Sequence, residues 1–514
     1  MKAEKNIRLG EEAIYSLKQI SKTQALILGL QHTFAMFGAT VLVPLITGLQ
    51  ISTSLLMAGL GTLLFHLITG GKVPIFLGSS FAFLGGYAAV APVVDGKADP
   101  AALGRAGGGI IVAGAIYLVL AFLIKLLGVK KVMRFFPPIV TGPIIISIGL
   151  ILSPSAISNA SQNWLLALVA IGIVIVCNIW GKGMIKIIPI ILGIIGSYIV
   201  ALLLKQVDFT AVNQTIKAGR IIELPIYREY FATFDLSAIL TIAPIALATI
   251  MEHIGDVSAV SATCEKNYIS DPGLHKTLAG DGFATMFSAF FGGPANTTYG
   301  ENTGVLALTK IYAPGVMRIA ACCAIFLSIF PAFSQIINTV PVAIIGGVSL
   351  ILYGTISAVG VRNLVENHVD LTKSRNLIIA AVILTSALGF NTIGGITFSI
   401  AGHPITLSGL AIASILGILL NAVLPGRDYE FEVEDPAPTG VDFSVTDTTK
   451  EGRYARKKAE LAARKEELLG KKDELEKIEA DICQREEALA VLRAEVHAER
   501  DRIAAENAKS EGKE

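Results

Sequence analysis

Between residues 24 and 427 the chain alternates long apolar stretches with short polar connections, each stretch close to the roughly 20 residues that carry a helix across about 30 Å of hydrocarbon. The pattern predicts about fourteen such segments, at 24–48, 52–70, 74–92, 107–128, 136–153, 163–180, 184–204, 237–258, 274–291, 297–311, 314–332, 337–360, 375–393 and 403–424. The expected fold class is an all-α polytopic membrane protein. Residues 1–23 are polar, with Lys2, Lys5, Arg8, Glu11, Glu12, Lys18 and Lys22. The first apolar stretch starts too late and runs too long for a cleaved signal peptide, so a retained cytoplasmic segment is expected. An even number of crossings places both termini on one side. If that side is the cytoplasm, the inner connections carry fourteen Lys and Arg against six in the outer ones, as the positive-inside rule requires.

A second pattern lies over the first. Gln31-His32 recurs as Glu252-His253, Ala58-Gly59-Leu60-Gly61 as Ala279-Gly280-Asp281-Gly282, and Ser79-Ser80-Phe81 as Thr297-Thr298-Tyr299, in the same order and at nearly constant offset. Two copies, about 24–205 and 230–427, would each hold seven segments. An odd number forces the second copy to insert upside down, which gives inverted repeats with a site between them. The third and tenth segments are the weakest as helices, because Gly78, Ser79 and Ser80 interrupt one and Gly292, Gly293, Pro294 and Asn296 the other. Matched interruptions of this kind predict short extended breaks that lead into half-helices, with backbone groups that a ligand can meet.

Composition sharpens this reading. The chain of 514 residues is 53% hydrophobic and 16% charged, with a mean hydropathy of +0.64, outside the soluble range. The charge is uneven: residues 428–514 hold 16 Lys and Arg and 24 Asp and Glu. Residues 428–449, acidic with Pro436, Pro438 and Gly440, read as a linker. Within 450–508, Leu461, Leu468, Leu475, Ile482, Leu489, Val496 and Ile503 repeat every seven residues, one seam of a heptad helix or coiled coil. Its second seam contains Arg464, Lys471, Arg485 and Glu499, so a solvated single helix competes with self-association into a homodimer or with an unidentified partner helix. The mixed charge of this tail excludes a nucleic-acid-binding face. The five Cys have no metal-ligand spacing and read as small packing residues. With no Walker loop, dinucleotide fingerprint or HExxH motif, the sequence predicts neither an enzyme nor a cofactor.

Few ionisable groups fall within the apolar segments. Glu252 and Asp256, four apart in T-I-M-E-H-I-G-D, share one face of a helix one turn apart, and Glu301 follows the tenth-segment break in T-T-Y-G-E-N-T-G. A carboxylate at bilayer depth costs at least about 2.5–3.5 kcal/mol on insertion scales, so three near one plane call for a function. Two close carboxylates resist double ionisation, which suits a proton carrier. Glu301, early in a half-helix, suits acceptance of hydrogen bonds from ligand N–H groups. His32 and His253 are either packing residues or polar support, and Phe81 and Tyr299 either pack in the core or stack on a planar ring.

The motifs Q-H-T-F-A-M-F-G-A-T-V-L-V-P (31–44), F-L-G-S-S-F-A-F (76–83), E-H-I-G-D (252–256), D-P-G-L-H (271–275) and N-T-T-Y-G-E-N-T-G-V-L-A-L-T-K (296–310) closely resemble the nucleobase–ascorbate transporter (nucleobase:cation symporter-2) family over about residues 20–425. The family signature is matched by Glu301, Asn302, Gly304, Thr309 and Lys310. The resemblance implies fourteen helices in two inverted sets of seven, divided into core and gate subdomains, and import of uracil with protons across the bacterial cytoplasmic membrane. It implies that Glu252 and Glu301 bind the pyrimidine edge and that backbone N–H groups at Phe81 and Gly300 meet the carbonyls. Ala39 and Tyr299 then line the pocket, with His32, Ser80 and Asn302 in support. Asp256 and Glu252 are the proton-coupling candidates, although some relatives carry His where Asp256 stands. The rivals are a xanthine or urate symporter of the same fold, which usually has Gln at the place of Glu301, and an anion exchanger or channel, for which the carboxylates have the wrong sign. A membrane-anchored scaffold that acts through the heptad tail is the third.

Overall fold

The computed structural model describes residues 13–94, 97–400 and 403–426, with 485, 488, 489, 491–500 and 502 of the C-terminal part. The chain divides into two compact units, Met1–Phe443 and Ser444–Glu514. In the second unit, residues 491–500 are helical, and the two described seam residues, Leu489 and Val496, are exposed. The linker 428–449 and the rest of the heptad segment lie outside the described residues, as do residues 1–12.

The first unit is mainly helical. Its elements run α1 Lys22–Thr47, α2 Ile51–Ile68, β1 Leu77–Ser79, α3 Leu84–Val90, α4 Pro100–Leu127, α5 Pro138–Ser161, α6 Trp164–Ile179 and α7 Pro189–Leu203. The series continues with α8 Leu236–Thr263, tightened by a 3-10 turn at Ala243–Ile245, then α9 Leu274–Phe290, β2 Asn296–Thr298, α10 Gly300–Thr309 and α11 Pro314–Ser328. It ends with α12 Val342–Glu366, α13 Ser374–Thr392, β3 Ile396–Ile400, β4 His403–Leu407 and α14 Gly409–Val423. Seven of the helices, α1, α2, α4, α5, α8, α12 and α13, are long and apolar enough to cross a membrane. The shorter α6, α7 and α14 are also apolar, and α11 bends by 85° into the short helix Pro331–Asn338.

Local sequence explains the boundaries. Ser21 and Gln24 form a reciprocal capping box at the start of α1, and Gly48, at φ 76°, ends it. Asp99 accepts from the N–H groups of Ala101 and Ala102, with Pro100 in the first turn of α4. Asp235 caps α8 and Ser408 caps α14 in the same way. Residues 403–407, read from hydropathy as the opening of the last span, are instead the second strand of a hairpin, with Ile396 opposite Leu407 and Ile400 opposite His403. Gly394 and Gly395, at φ 81° and 91°, turn the chain out of α13, and the β-branched residues on both arms favour a ladder over a helix.

Packing sorts the helices into two sets. In one, α4 lies along α9, while α2 contacts both α9 and α11, and α11 contacts α1. In the other, α5 lies along α12, α13 packs on α5 and α14, and α6 packs on α7 and α12. Close approach in the first set depends on missing side chains. A Cβ on Gly114 of α4 would sit 2.9 Å from the Gly282 carbonyl of α9, and one on Gly282 would sit 2.9 Å from the Gly114 carbonyl. Small residues at such crossings give helices dispersion contact where lipid supplies no hydrophobic drive. Outward-facing Leu26, Ile27, Phe122, Leu126, Leu168 and Ile179 are exposed, as expected of surfaces that meet acyl chains.

Candidate functional site

The two interrupted segments meet each other. β1 and β2 pair antiparallel, with Leu77 opposite Thr298, Gly78 opposite Thr297 and Ser79 opposite Asn296, and each strand is followed by a helix, α3 or α10. Backbone left unpaired by such breaks needs partners where water is scarce, and the neighbours supply them. Thr62 of α2 both accepts from the Leu77 N–H at 2.9 Å and donates to the Leu77 carbonyl at 3.3 Å. Thr285 of α9 donates to the Asn296 carbonyl at 2.9 Å. The Ser80 N–H donates to the Ala295 carbonyl at 2.8 Å, and the Ser79 hydroxyl to the Thr40 carbonyl of α1 at 3.1 Å.

Tyr299 braces this junction. Its N–H donates to the Phe76 carbonyl at 3.2 Å and its hydroxyl to the Ser79 carbonyl at 3.0 Å, while the Thr40 hydroxyl lies 3.4 Å from the Tyr299 oxygen. The ring fills the space where any side chain on Gly78 would stand, so Gly78 is required by close approach and not by its dihedral angles. Tyr299 is therefore tied edge and tip into the strand pair. Ala39 of α1 is fully buried in the same core. Phe81 is also buried and packs edge-on against Tyr353 of α12, with ring centroids 5.9 Å apart, which joins the strand pair to the other helix set.

The acidic residues approach the start of α10 from α8. Asp256 Oδ2 accepts from the Thr298 hydroxyl at 2.6 Å, and Asp256 Oδ1 lies 3.9 Å from the place a Cβ on Gly300 would take. The first N–H groups and positive dipole end of α10 thus lie beside this carboxylate. Glu252 is one helical turn away and partly buried, with Oε2 shielded from solvent. Glu301 is the second residue of α10, and its side chain is outside what the structure describes.

His32 of α1 and Asn302 of α10 are in contact. Asn302 Nδ2 is 3.1 Å from His32 Nδ1 and 3.3 Å from the His32 carbonyl. Only an amide N–H can serve that carbonyl, so Nδ2 is the donor in both contacts and Nδ1 accepts. The neutral ring then carries its proton on Nε2. Nε2 is buried and has no hydrogen-bond partner among the described residues, as have the Ser80 hydroxyl, the Thr297 hydroxyl and Asn302 Oδ1. Buried polar atoms left over in this way mark a place that a polar ligand or water can satisfy.

One buried pair escaped the sequence reading. His253 Nδ1 of α8 lies 2.8 Å from Asp281 Oδ2 of α9, and both side chains are fully buried. His253 therefore faces α9. The signal was a carboxylate in the middle of the ninth apolar segment, inside the echo Ala279-Gly280-Asp281-Gly282. Among the described residues no cluster of His, Cys, Asp and Glu could hold a metal ion.

Comparison with known proteins follows the same lines. The model of the xanthine and uracil permease family matches residues 23–395. The chain is 40% identical over 422 residues to the uracil permease of Bacillus caldolyticus, covering 80% of this chain and 94% of that one. It is 38% identical over 415 residues to the uracil permease of Bacillus subtilis, covering 78% and 92%. Among solved structures it resembles the transmembrane domain of the cyanobacterial bicarbonate transporter BicA, with a TM-score of 0.51 at 14% identity over 72% of this chain and 96% of that one. It also resembles the anion transporter SLC26A9, with a TM-score of 0.55 at 13% identity over 79% and 66%. These two likenesses concern the fold.

Proposed function

Because the chain belongs to the xanthine and uracil permease family, a set of membrane transporters and not enzymes, we propose that it imports uracil together with protons across the bacterial cytoplasmic membrane by alternating access. The observation that carries this reading is the meeting of Asp256 with Thr298 at the start of α10, with Glu252 one turn away along α8 and Asn302 of α10 held against His32. Uracil presents two N–H donors and two carbonyl acceptors. Glu252 and Glu301 accept from the N–H groups, and the N–H groups of Phe81 and Gly300 donate to the carbonyls. Ala39 and the Tyr299 ring close the pocket. His32, held by Asn302, offers its Nε2 proton, and Ser80 its hydroxyl. Asp256, or Glu252 beside it, carries the coupled proton.

The transporter comprises fourteen segments in two inverted sets of seven, α1 to α7 with β1–α3 as the third and α8 to α14 with β2–α10 as the tenth. The equivalent roles of Thr62 and Thr285 toward β1 and β2 support this. The strand-bearing set of helices is the core subdomain and the α5–α7, α12–α14 set is the gate. The Phe81–Tyr353 contact lies where they slide or rock. Both termini face the cytoplasm, as the distribution of Lys and Arg requires.

Uptake of labelled uracil into vesicles, with and without an imposed pH gradient, tests the proposal. Gradient-stimulated uptake that an uncoupler abolishes is expected, and uptake indifferent to both removes the proton coupling. Competition with xanthine separates the purine rival, whose family members usually carry Gln where this chain has Glu301.

A further inference from the structure

Three helices carry most of the groups assigned to the site: α1 with His32 and Ala39, α8 with Glu252 and Asp256, and α10 with Gly300, Glu301 and Asn302. One short segment, residues 14–20, joins the start of the first to the far ends of the other two. Hydropathy leaves this segment in the polar approach to the first span, yet Ile14 is 2% exposed. Its N–H donates to the Lys310 carbonyl at 2.9 Å and its carbonyl accepts from the Tyr312 N–H at 2.7 Å, a parallel bridge to the connection between α10 and α11. The Ile14 side chain is buried with Leu28 of α1 and with Ile311, Ala313 and Val316, and Leu17 closes over Gly315, where any side chain would collide with it.

Tyr15 reaches the second helix. Its hydroxyl donates at 2.9 Å to the carbonyl of Cys264, the residue that follows α8. Its ring centroid lies 5.4 Å from that of Tyr312, and Lys266 Nζ stands 4.0 Å from it, a cation over an aromatic face. The chain then turns through Leu17–Gln19, where Gln19 Oε1 accepts from the Ser16 N–H at 3.1 Å, and enters α1 at Ser21. Asp256 stands eight residues before Cys264 and Glu301 nine before Lys310. At about 1.5 Å per residue, both lie about 12–14 Å along their helices from the point where the segment grips. A tilt of about 5° at that grip moves either residue by about 1 Å, twice the roughly 0.5 Å range of useful donor–acceptor distances in a hydrogen bond.

We propose that Ile14 and Tyr15 are positioning residues: they clamp the far ends of α8 and α10 at one spacing and so set the separation of Glu252 and Asp256 from Gly300, Glu301 and Asn302 at the ligand. Both act through the helices they grip. The inference rests on the proposed uracil site for what the clamp serves, but not for whether it holds α10.

The experiment compares the full-length parent in detergent with Ile14→Asp, Ile14→Val and Tyr15→Phe, by two independent readouts. The first is hydrogen exchange over residues 300–310 without uracil. Ile14→Asp, which puts a charge among apolar side chains, is expected to speed that exchange about tenfold, and Ile14→Val to keep the parental rate. Unchanged exchange in Ile14→Asp overturns the clamp whatever the protein carries. The second is uracil affinity by calorimetry, well below the melting temperature of each variant. Binding is expected to weaken about tenfold in Ile14→Asp and about threefold in Tyr15→Phe, and to be restored in Ile14→Val. In vesicle uptake the half-saturating uracil concentration rises with it while the maximal rate is kept. Faster exchange with parental affinity, or a loss confined to the maximal rate, would make the segment a structural fastening and overturn the positioning role. A parent that binds no uracil refutes the proposed function instead, and the exchange result alone then upholds or overturns the clamp. If Ile14→Asp does not fold, Tyr15→Phe decides, since it keeps the ring and loses one hydrogen bond: parental affinity there overturns the proposal.

Discussion

Removal of one member of the His253–Asp281 pair probes how the core helices α8 and α9 are held behind the site. At 2.8 Å, with both side chains at 0% exposure, the attraction would be about 6 kcal/mol at an effective dielectric of about 20 with His253 protonated and Asp281 ionised. Desolvation offsets most of that gain, so the pair itself contributes little net stability. Loss of one partner is a different matter, because it leaves the other buried and unopposed, at a cost of about 3–5 kcal/mol. Asp281→Ala is expected near the lower figure, since an imidazole is less costly to bury alone than a carboxylate, and His253→Ala near the upper. The double variant His253→Leu/Asp281→Leu, which removes both polar groups and keeps volume, is expected within about 2 kcal/mol of the parent. Reversible unfolding in mixed micelles, run as a double-mutant cycle, reads these values. A coupling of at least about 2 kcal/mol is expected, and additivity within about 0.5 kcal/mol would refute the argument.

Three further outcomes are expected. Glu301→Gln lowers uracil affinity by about 1–3 kcal/mol in calorimetry on purified protein, the usual cost of a mispaired buried polar group, and unchanged affinity removes Glu301 from the site. Asp256→Asn keeps uracil binding but loses stimulation of uptake by a pH gradient; a variant still driven by the gradient shifts the proton to Glu252. Tyr299→Phe, which deletes the hydroxyl bonded to the Ser79 carbonyl, costs about 1–3 kcal/mol in unfolding experiments, and a silent variant would show that the strand pair does not depend on that brace.

Hydropathy located the apolar segments because a lipid-facing helix must be apolar over its length. The breaks at residues 78–80 and 292–296 were legible because Gly, Ser, Pro and Asn disfavour helix. The identity of each strand's partner was not legible, since a three-residue ladder between residues far apart in the chain has no local signature. The hairpin at Ile396–Leu407 was hidden for the opposite reason: its residues are apolar enough to pass for helix, and only the Gly394-Gly395 pair and the β-branched content distinguished it. Asp281 has no distinguishing local pattern, since it stands among the small residues of Ala279-Gly280-Asp281-Gly282 and its partner His253 is on another helix. The contact of Asn302 with His32 followed from neither residue alone, as the two are 270 positions apart and are joined only by folding.

The pairing of Leu77 with Thr298 also sets a schedule for biogenesis. When β1 leaves the ribosome its partner lies 221 residues ahead, and at about 5–20 residues per second translation takes on the order of ten to forty seconds to reach it. Through that interval the nascent first half holds an unpaired strand edge that the insertion machinery must shelter. A ribosome stalled short of residue 296 therefore leaves β1 without its partner and no site at all.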